Sequence, residues 1–311
     1  MASEIVVDVR SASKSYQRGT RVLNDVSLSL RKGEMVALIG ASGSGKSTLI
    51  RALAGLIPID GRSQGPEGYI DMLGKPIHRG GRLRCDRDLR ARIGVIFQQF
   101  NLVPRLSVLT NVCLGRLGHI STLNGTLGRF SDIDKRMAMR ALARVGIADH
   151  ALKRANELSG GQQQRAAIAR SLVQGAELLI ADEPIASLDP ASARRVMDLL
   201  ADMNRRDGLT VFISLHQVEY ALKYCARTVA LKDGKVAYDG PSSALTPAFL
   251  NQLYGAESED LFLVSPDTEP AAASLAPSEH WEMPPTGSGR AGNGSAAWMQ
   301  QSRPGGHRLR A

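Results

Sequence analysis

Met35-Val36-Ala37-Leu38-Ile39 is an unbroken apolar run, and Gly40-Ala41-Ser42-Gly43-Ser44-Gly45-Lys46-Ser47 follows it directly, with Thr48-Leu49-Ile50 next. A short continuous apolar run fits a strand covered on both faces. The apolar spacing over residues 48–56 predicts a helix. Between them, residues 40–47 fit G-x-x-x-x-G-K-[ST] at every required position, in the strand-before, helix-after context that the motif demands. Its glycines let backbone N–H groups turn inward around phosphate oxygens. The helix N-terminus adds the positive end of its dipole. Lys46 is placed to reach β- and γ-phosphates, and the Ser47 hydroxyl to ligate Mg²⁺. Gly40, Ser42, Gly43, Gly45, Lys46, Ser47 and Thr48 are the expected nucleotide-contacting positions.

Working outward, further strands are expected at 5–9, 26–30, 93–97, 178–181 and 211–215. Helical patterns occupy 134–145, 163–173 and 191–204. Asp233-Gly234 lies between strand-like 229–232 and 235–238, which is a strong hairpin signal. Buried strands alternating with helices predict a mostly parallel α/β sheet, and the flanking hairpins an antiparallel sheet beside it. Leu178-Leu179-Ile180-Ala181 ends in Asp182-Glu183. Asp182, at the carboxyl end of its strand, is placed to hold the metal through water. Glu183 is placed to accept a proton from the attacking water or to orient it.

Composition bounds the class. The 311 residues carry 39 Lys+Arg against 30 Asp+Glu, a net charge of +9, with 43% hydrophobic residues. That is enough apolar material for a core, and no stretch approaches the ~20 apolar residues of a membrane span. Cys85, Cys113 and Cys225 are scattered, which makes a poor disulfide framework and a poor zinc site. With no basic-then-apolar leader at the N-terminus, a reducing cytoplasm is the expected setting. Residues 256–311 hold six of the 14 prolines, long Ala/Gly/Ser runs and both tryptophans, Trp281 and Trp298. Such a segment is expected to be disordered.

Leu158-Ser159-Gly160-Gly161-Gln162, between the lysine loop and the acidic strand end, gives the resemblance. The order Gly-Lys-Ser, Leu-Ser-Gly-Gly-Gln, Asp-Glu resembles the nucleotide-binding subunits of ATP-binding cassette (ABC) transporters. The residues themselves form a second anion cradle, with Ser159 and two glycines opening a helix. The resemblance implies that Ser159, Gly160, Gly161 and Gln162 close on the nucleotide of a partner copy, so that a homodimer completes the site. It also implies that Tyr16 stacks on adenine. The resemblance implies that Gln98, with Gln99 as the alternative, contacts Mg²⁺ and water. By the same resemblance, Asp189 lies in a loop crossing the dimer interface and His216 is expected to touch the γ-phosphate. The fold implied is a P-loop NTPase core over residues 1–255, with a side antiparallel β-subdomain and a helical subdomain at about 99–172.

The wording of residues 98–108, 181–190 and 215–221 is similar to the phosphonate importer ATPases, over residues 4–255 in all. That similarity implies an ATP-hydrolysing subunit under two transmembrane permease subunits, fed by a periplasmic substrate-binding protein, at the cytoplasmic side of the inner membrane. Polar amino acid import, or a non-transport role beside a carbon–phosphorus lyase complex, are the alternatives. An ABC ATPase acting on DNA or ribosomes usually carries two cassettes or a coiled-coil insertion, and neither is visible. The Arg79, Arg82, Arg84, Arg87, Arg90 and Arg92 run is expected to be a solvated face beside the membrane partner, with no nucleic acid expected. Residues 58–68 are longer and richer in glycine than the family's usual connection.

Overall fold

The computed structural model describes residues 4–17, 20–61, 67–99 and 101–255. The chain runs β1 (Ile5–Gln17), β2 (Thr20–Arg31), β3 (Met35–Ile39), α1 (Lys46–Leu53), β4 (Tyr69–Met72), β5 (Lys75–Arg79), β6 (Arg82–Leu83), α2 (Arg87–Arg92) and β7 (Ile93–Ile96). The helices α3 (Val108–Cys113), α4 (Thr122–Thr126), α5 (Asp132–Arg144) and α6 (Gly160–Gln174) come next. The chain then returns to β8 (Leu178–Asp182), α7 (Pro190–Asp207), β9 (Thr210–Ser214), α8 (Val218–Tyr224), β10 (Arg227–Lys232), β11 (Lys235–Pro241) and α9 (Pro247–Tyr254).

Two sheets form. A six-stranded sheet has the order β11-β10-β3-β9-β8-β7, and only its edge strand β11 is antiparallel. A five-stranded antiparallel sheet has the order β2-β1-β4-β5-β6. The apolar runs of the sequence become the central strands because both their faces are covered. Along β3, Met35, Ala37 and Ile39 point into a core shared with α3, α5, α6 and α7, while Val36 and Leu38 point into a second core shared with α1 and the antiparallel sheet. β8 and β9 divide their residues in the same alternating way, with Phe212 fully buried on the antiparallel-sheet side. Burying one such side chain stabilises by roughly 1.5–3 kcal/mol.

The predicted central strands and long helices are present, with shifted ends. β1 and β2 extend well past 5–9 and 26–30, pairing as a long bulged hairpin. α1 starts two residues earlier than the apolar spacing predicts and stops at Leu53. The arginine run is a solvated face, as expected, with Arg79, Arg82, Arg84, Arg87 and Arg90 exposed, and several of its members also make contacts within the chain. Arg79 pairs with Asp71 at 2.6 Å and lies 4.1 Å over the Tyr69 ring. Arg87 donates to the carbonyls of Leu117 and Ile120 at 2.5 and 2.6 Å, and Arg90 to that of Cys85 at 3.2 Å. Arg92 forks onto Glu177 at 2.6 and 3.0 Å. Most of the run therefore ties β4–β6, α2 and the neighbouring helices together. A guanidinium group carries several donors in a fixed fork, so one arginine can serve two acceptors at once. Among the described residues, no helix is long and apolar enough to cross a membrane. The expectations for 256–311, Trp281 and Trp298, and for 62–66 of the long connection, lie outside the described residues.

Candidate nucleotide site

Parallel neighbours end on one edge, and this sheet uses that edge to gather chemistry. Leu38 of β3, Ser214 of β9 and Asp182 of β8 are level in the register. Beyond them, β3 runs into the 40–45 loop, β8 into Glu183, and β9 into Leu215 and His216. A cleft lined by residues 42–48, Val22, Glu183 and His216 lies there.

The loop is shaped by three glycines with positive φ. Gly40 (φ 147°) and Gly45 (φ 104°) cannot take a side chain, because a Cβ would lie 2.3 Å from the Leu231 carbonyl oxygen or 2.7 Å from that of Val22. Gly43 (φ 75°) instead faces open space. Lys46 opens α1 and is 5% exposed, with Nζ on the carbonyls of Gly40 at 2.6 Å and Ala41 at 3.2 Å. An arriving phosphate gives that ammonium a charged acceptor in place of two neutral ones. The Ser44 hydroxyl is buried without a hydrogen-bond partner in the wall of the same cleft. A donor left without a partner beside a glycine cradle fits an anion.

Metal chemistry fits as well. Ser47 Oγ lies 3.3 Å from Asp182 Oδ1, so a hydroxyl and a carboxylate share one spot, an oxygen set suited to Mg²⁺. Asp182 is buried and its Oδ1 also accepts from Ser214 Oγ at 2.9 Å. The same Ser214 oxygen accepts from the Glu183 N–H at 2.8 Å. Ser214 was not singled out from the sequence. Its signal is a hydroxyl ending the apolar run Val211-Phe212-Ile213.

Glu183 adopts φ 50°, a left-handed conformation costing a non-glycine residue about 1–3 kcal/mol. That turn aims its carboxylate at His216, whose Nε2 stands 2.8 Å from Glu183 Oε1. The His216 hydrogen bond holds the Glu183 carboxyl below the ordinary range, and Lys46 adds to this against the opposing effect of burial. Glu183 is therefore ionised at neutral pH and suited to orienting water.

The other expected residues are placed apart from the cleft. Gln98 is exposed two residues past β7, on the same sheet edge. Tyr16 is 56% exposed on β1, with Lys14 Nζ 5.7 Å from its ring centre, and is not among the residues lining the cleft. Ser159 is the N-cap of α6 in a capping box: its Oγ accepts from Gln162 N–H at 3.3 Å, and Gln162 Oε1 accepts from Ser159 N–H at 2.9 Å. Gly160 and Gly161 form the first turn, and a Cβ on Gly161 would meet Ser192 Oγ at 2.7 Å. Asp189 caps α7 by accepting from Ser192 N–H at 2.9 Å. The Ser159 motif and the Asp189 loop thus abut one another, and neither lines the Lys46 cleft of its own chain.

Residues 23–186 match the profile of the family described as ABC transporter. The chain is 59% identical over 260 residues to a Stutzerimonas stutzeri protein named phosphonates import ATP-binding protein PhnC, covering 83% of this chain and 93% of that one. A like-named protein of Paraburkholderia xenovorans is 53% identical over 256 residues, 82% and 84% of the two chains. Among solved structures, the dimeric post-hydrolysis state of the ATP-binding cassette MJ0796 bound to ADP and Pi is similar at 32% identity and TM-score 0.64, covering 77% of this chain and all of that one. The cbiO1 subunit of the Clostridium perfringens cbiONQ transporter is similar at 29% identity and TM-score 0.65, covering 80% and 95%.

Proposed function

This chain belongs to the ABC transporter family, and we propose that, as the ATP-hydrolysing subunit of an importer, it powers the uptake of phosphonates. The observation that carries the substrate is the identity of 59% over 93% of a relative named for phosphonate import. Lys46 exchanges the Gly40 and Ala41 carbonyls for β- and γ-phosphate oxygens, and the amides of 43–48 surround them. Ser47 and Asp182, with Gln98, would hold Mg²⁺, which when bound would neutralise charge developing on the phosphates. Glu183 orients the attacking water, and His216 passes between Glu183 and the γ-phosphate. Tyr16 stacks on the adenine.

Two copies face each other, so that Ser159, Gly160, Gly161 and Gln162 of one close on the nucleotide at Lys46 of the other, with Asp189 at the seam. A site completed only in the pair makes hydrolysis wait for closure, and closure moves the membrane partners. Those partners are two permease subunits at the inner membrane, approached from the cytoplasmic side and supplied by a periplasmic binding protein. Reconstitution of the full complex in liposomes tests this. ATP-dependent uptake of an alkylphosphonate is the expected result, and uptake of polar amino acids with none of the phosphonate would overturn the substrate.

A further inference from the structure

We propose that Tyr254 is a positioning residue of the phosphate loop, holding the Gly40 peptide so that the loop keeps its phosphate-binding shape. This rests on reading residues 40–48 as the nucleotide cradle. Tyr254 ends α9, lies 214 positions from Gly40 in sequence, and is 5% exposed. Its hydroxyl accepts the Gly40 N–H at 3.2 Å. Gly40 is where the chain leaves β3 and turns at φ 147°. On the other side of the residue, the Gly40 carbonyl accepts Lys46 Nζ at 2.6 Å.

Gly40 is therefore gripped from two directions. The Lys46 contact comes from inside the loop, and phosphate binding takes that lysine away. The Tyr254 contact comes from outside and does not depend on the lysine. It also directs the Gly40 N–H away from the cradle, leaving the phosphate amides to residues 43–48.

Neighbouring contacts brace the loop from the same side. Gly234 N–H donates to the Ser44 carbonyl at 3.2 Å, and the Leu231 carbonyl packs against Gly40 Cα so closely that no side chain fits. The segment β10–β11–α9, beyond the acidic strand end, thus forms the back wall of the loop, and Tyr254 is its polar contact with the entry residue. Removing the hydroxyl leaves a buried N–H without that partner. The loop relieves this by rotating the Gly40 peptide, which carries the phosphate amides off their positions.

The test is steady-state ATPase kinetics of the full-length chain with Mg²⁺ATP. Tyr254→Phe keeps the ring and deletes one oxygen, and should raise KM about five- to tenfold while changing kcat less than about twofold. Tyr238→Phe is the control. Its hydroxyl donates to the Pro241 carbonyl at 2.6 Å in the same segment without touching the loop, so its KM should stay normal. A normal KM in Tyr254→Phe beside an inactive Lys46→Ala overturns the positioning role alone. Unimpaired ATP binding in Lys46→Ala overturns the cradle reading and the proposal with it. Independently of any variant, amide exchange at Gly40 in the unaltered protein should be slow with and without ATP, and fast exchange in the ATP-bound state overturns the proposal.

Discussion

Ser214 Oγ stands 2.9 Å from Asp182 Oδ1, on the adjacent parallel strand and level with it in register. One hydroxyl thereby steadies the carboxylate proposed to hold Mg²⁺, and by accepting the Glu183 N–H it also fixes the left-handed turn that follows. Ser214→Ala should lower kcat about tenfold or more, the usual loss for a hydrogen bond to a charged group, with a smaller effect on KM. Steady-state kinetics check this, and an unchanged kcat would remove Ser214 from the mechanism.

Glu183→Gln keeps the size of the side chain and its access to His216 but removes the charge. ATP binding should persist, and turnover should fall at least a hundredfold. The variant should accumulate as a dimer with Mg²⁺ATP, measured by light scattering. Hydrolysis at the normal rate would show that Glu183 does not act on the water.

Gly45→Ala puts a methyl 2.7 Å from the Val22 carbonyl oxygen and 2.9 Å from Leu23 Cδ2, at φ 104°. Backbone strain alone costs about 1–3 kcal/mol, and the contact adds to it. Expected outcomes are a lower urea midpoint and lost nucleotide binding. Gly43→Ala meets no atom within 4 Å and should be affected mainly by its φ of 75°.

His78 on β5 is buried, with Nε2 donating to the Ala52 carbonyl at 2.9 Å, and burial pushes its imidazole below the ordinary value of 6.5. The unfolded chain then binds a proton more readily than the folded one. The contribution of His78 to stability is therefore complete above about pH 6.5 and declines as pH falls toward the folded value. Urea midpoints measured from pH 7.5 to 5.5 should fall, and His78→Gln, which keeps a donor and does not titrate, should flatten part of that slope.

The cradle was legible because its physics is local. Glycines at fixed offsets, a lysine and a helix start need only neighbours in sequence, and Gly40, Gly45 and Lys46 lie as the motif requires. Asp182 and Glu183 were legible for a similar reason, as acids ending an apolar strand. β4, β5 and β6 were not. They are short, half-exposed and paired antiparallel, so no long apolar run marks them. The arginine run was legible as an exposed face, but not the carbonyls and carboxylates its guanidinium groups contact there, because those lie on other elements.

The chain by itself determined the α/β class, the glycine–lysine loop between β3 and α1 and the order of the motifs, because apolar periodicity and backbone permissiveness act over a few residues. Tertiary structure alone decided that Ser214 joins Asp182 to Glu183, that His216 rests on Glu183, and that Tyr254 reaches back to Gly40. Those contacts depend on strand order and register, which bring together residues up to 214 positions apart. No local preference encodes which strand becomes another's neighbour. That choice is made when both faces of the central sheet are buried at once.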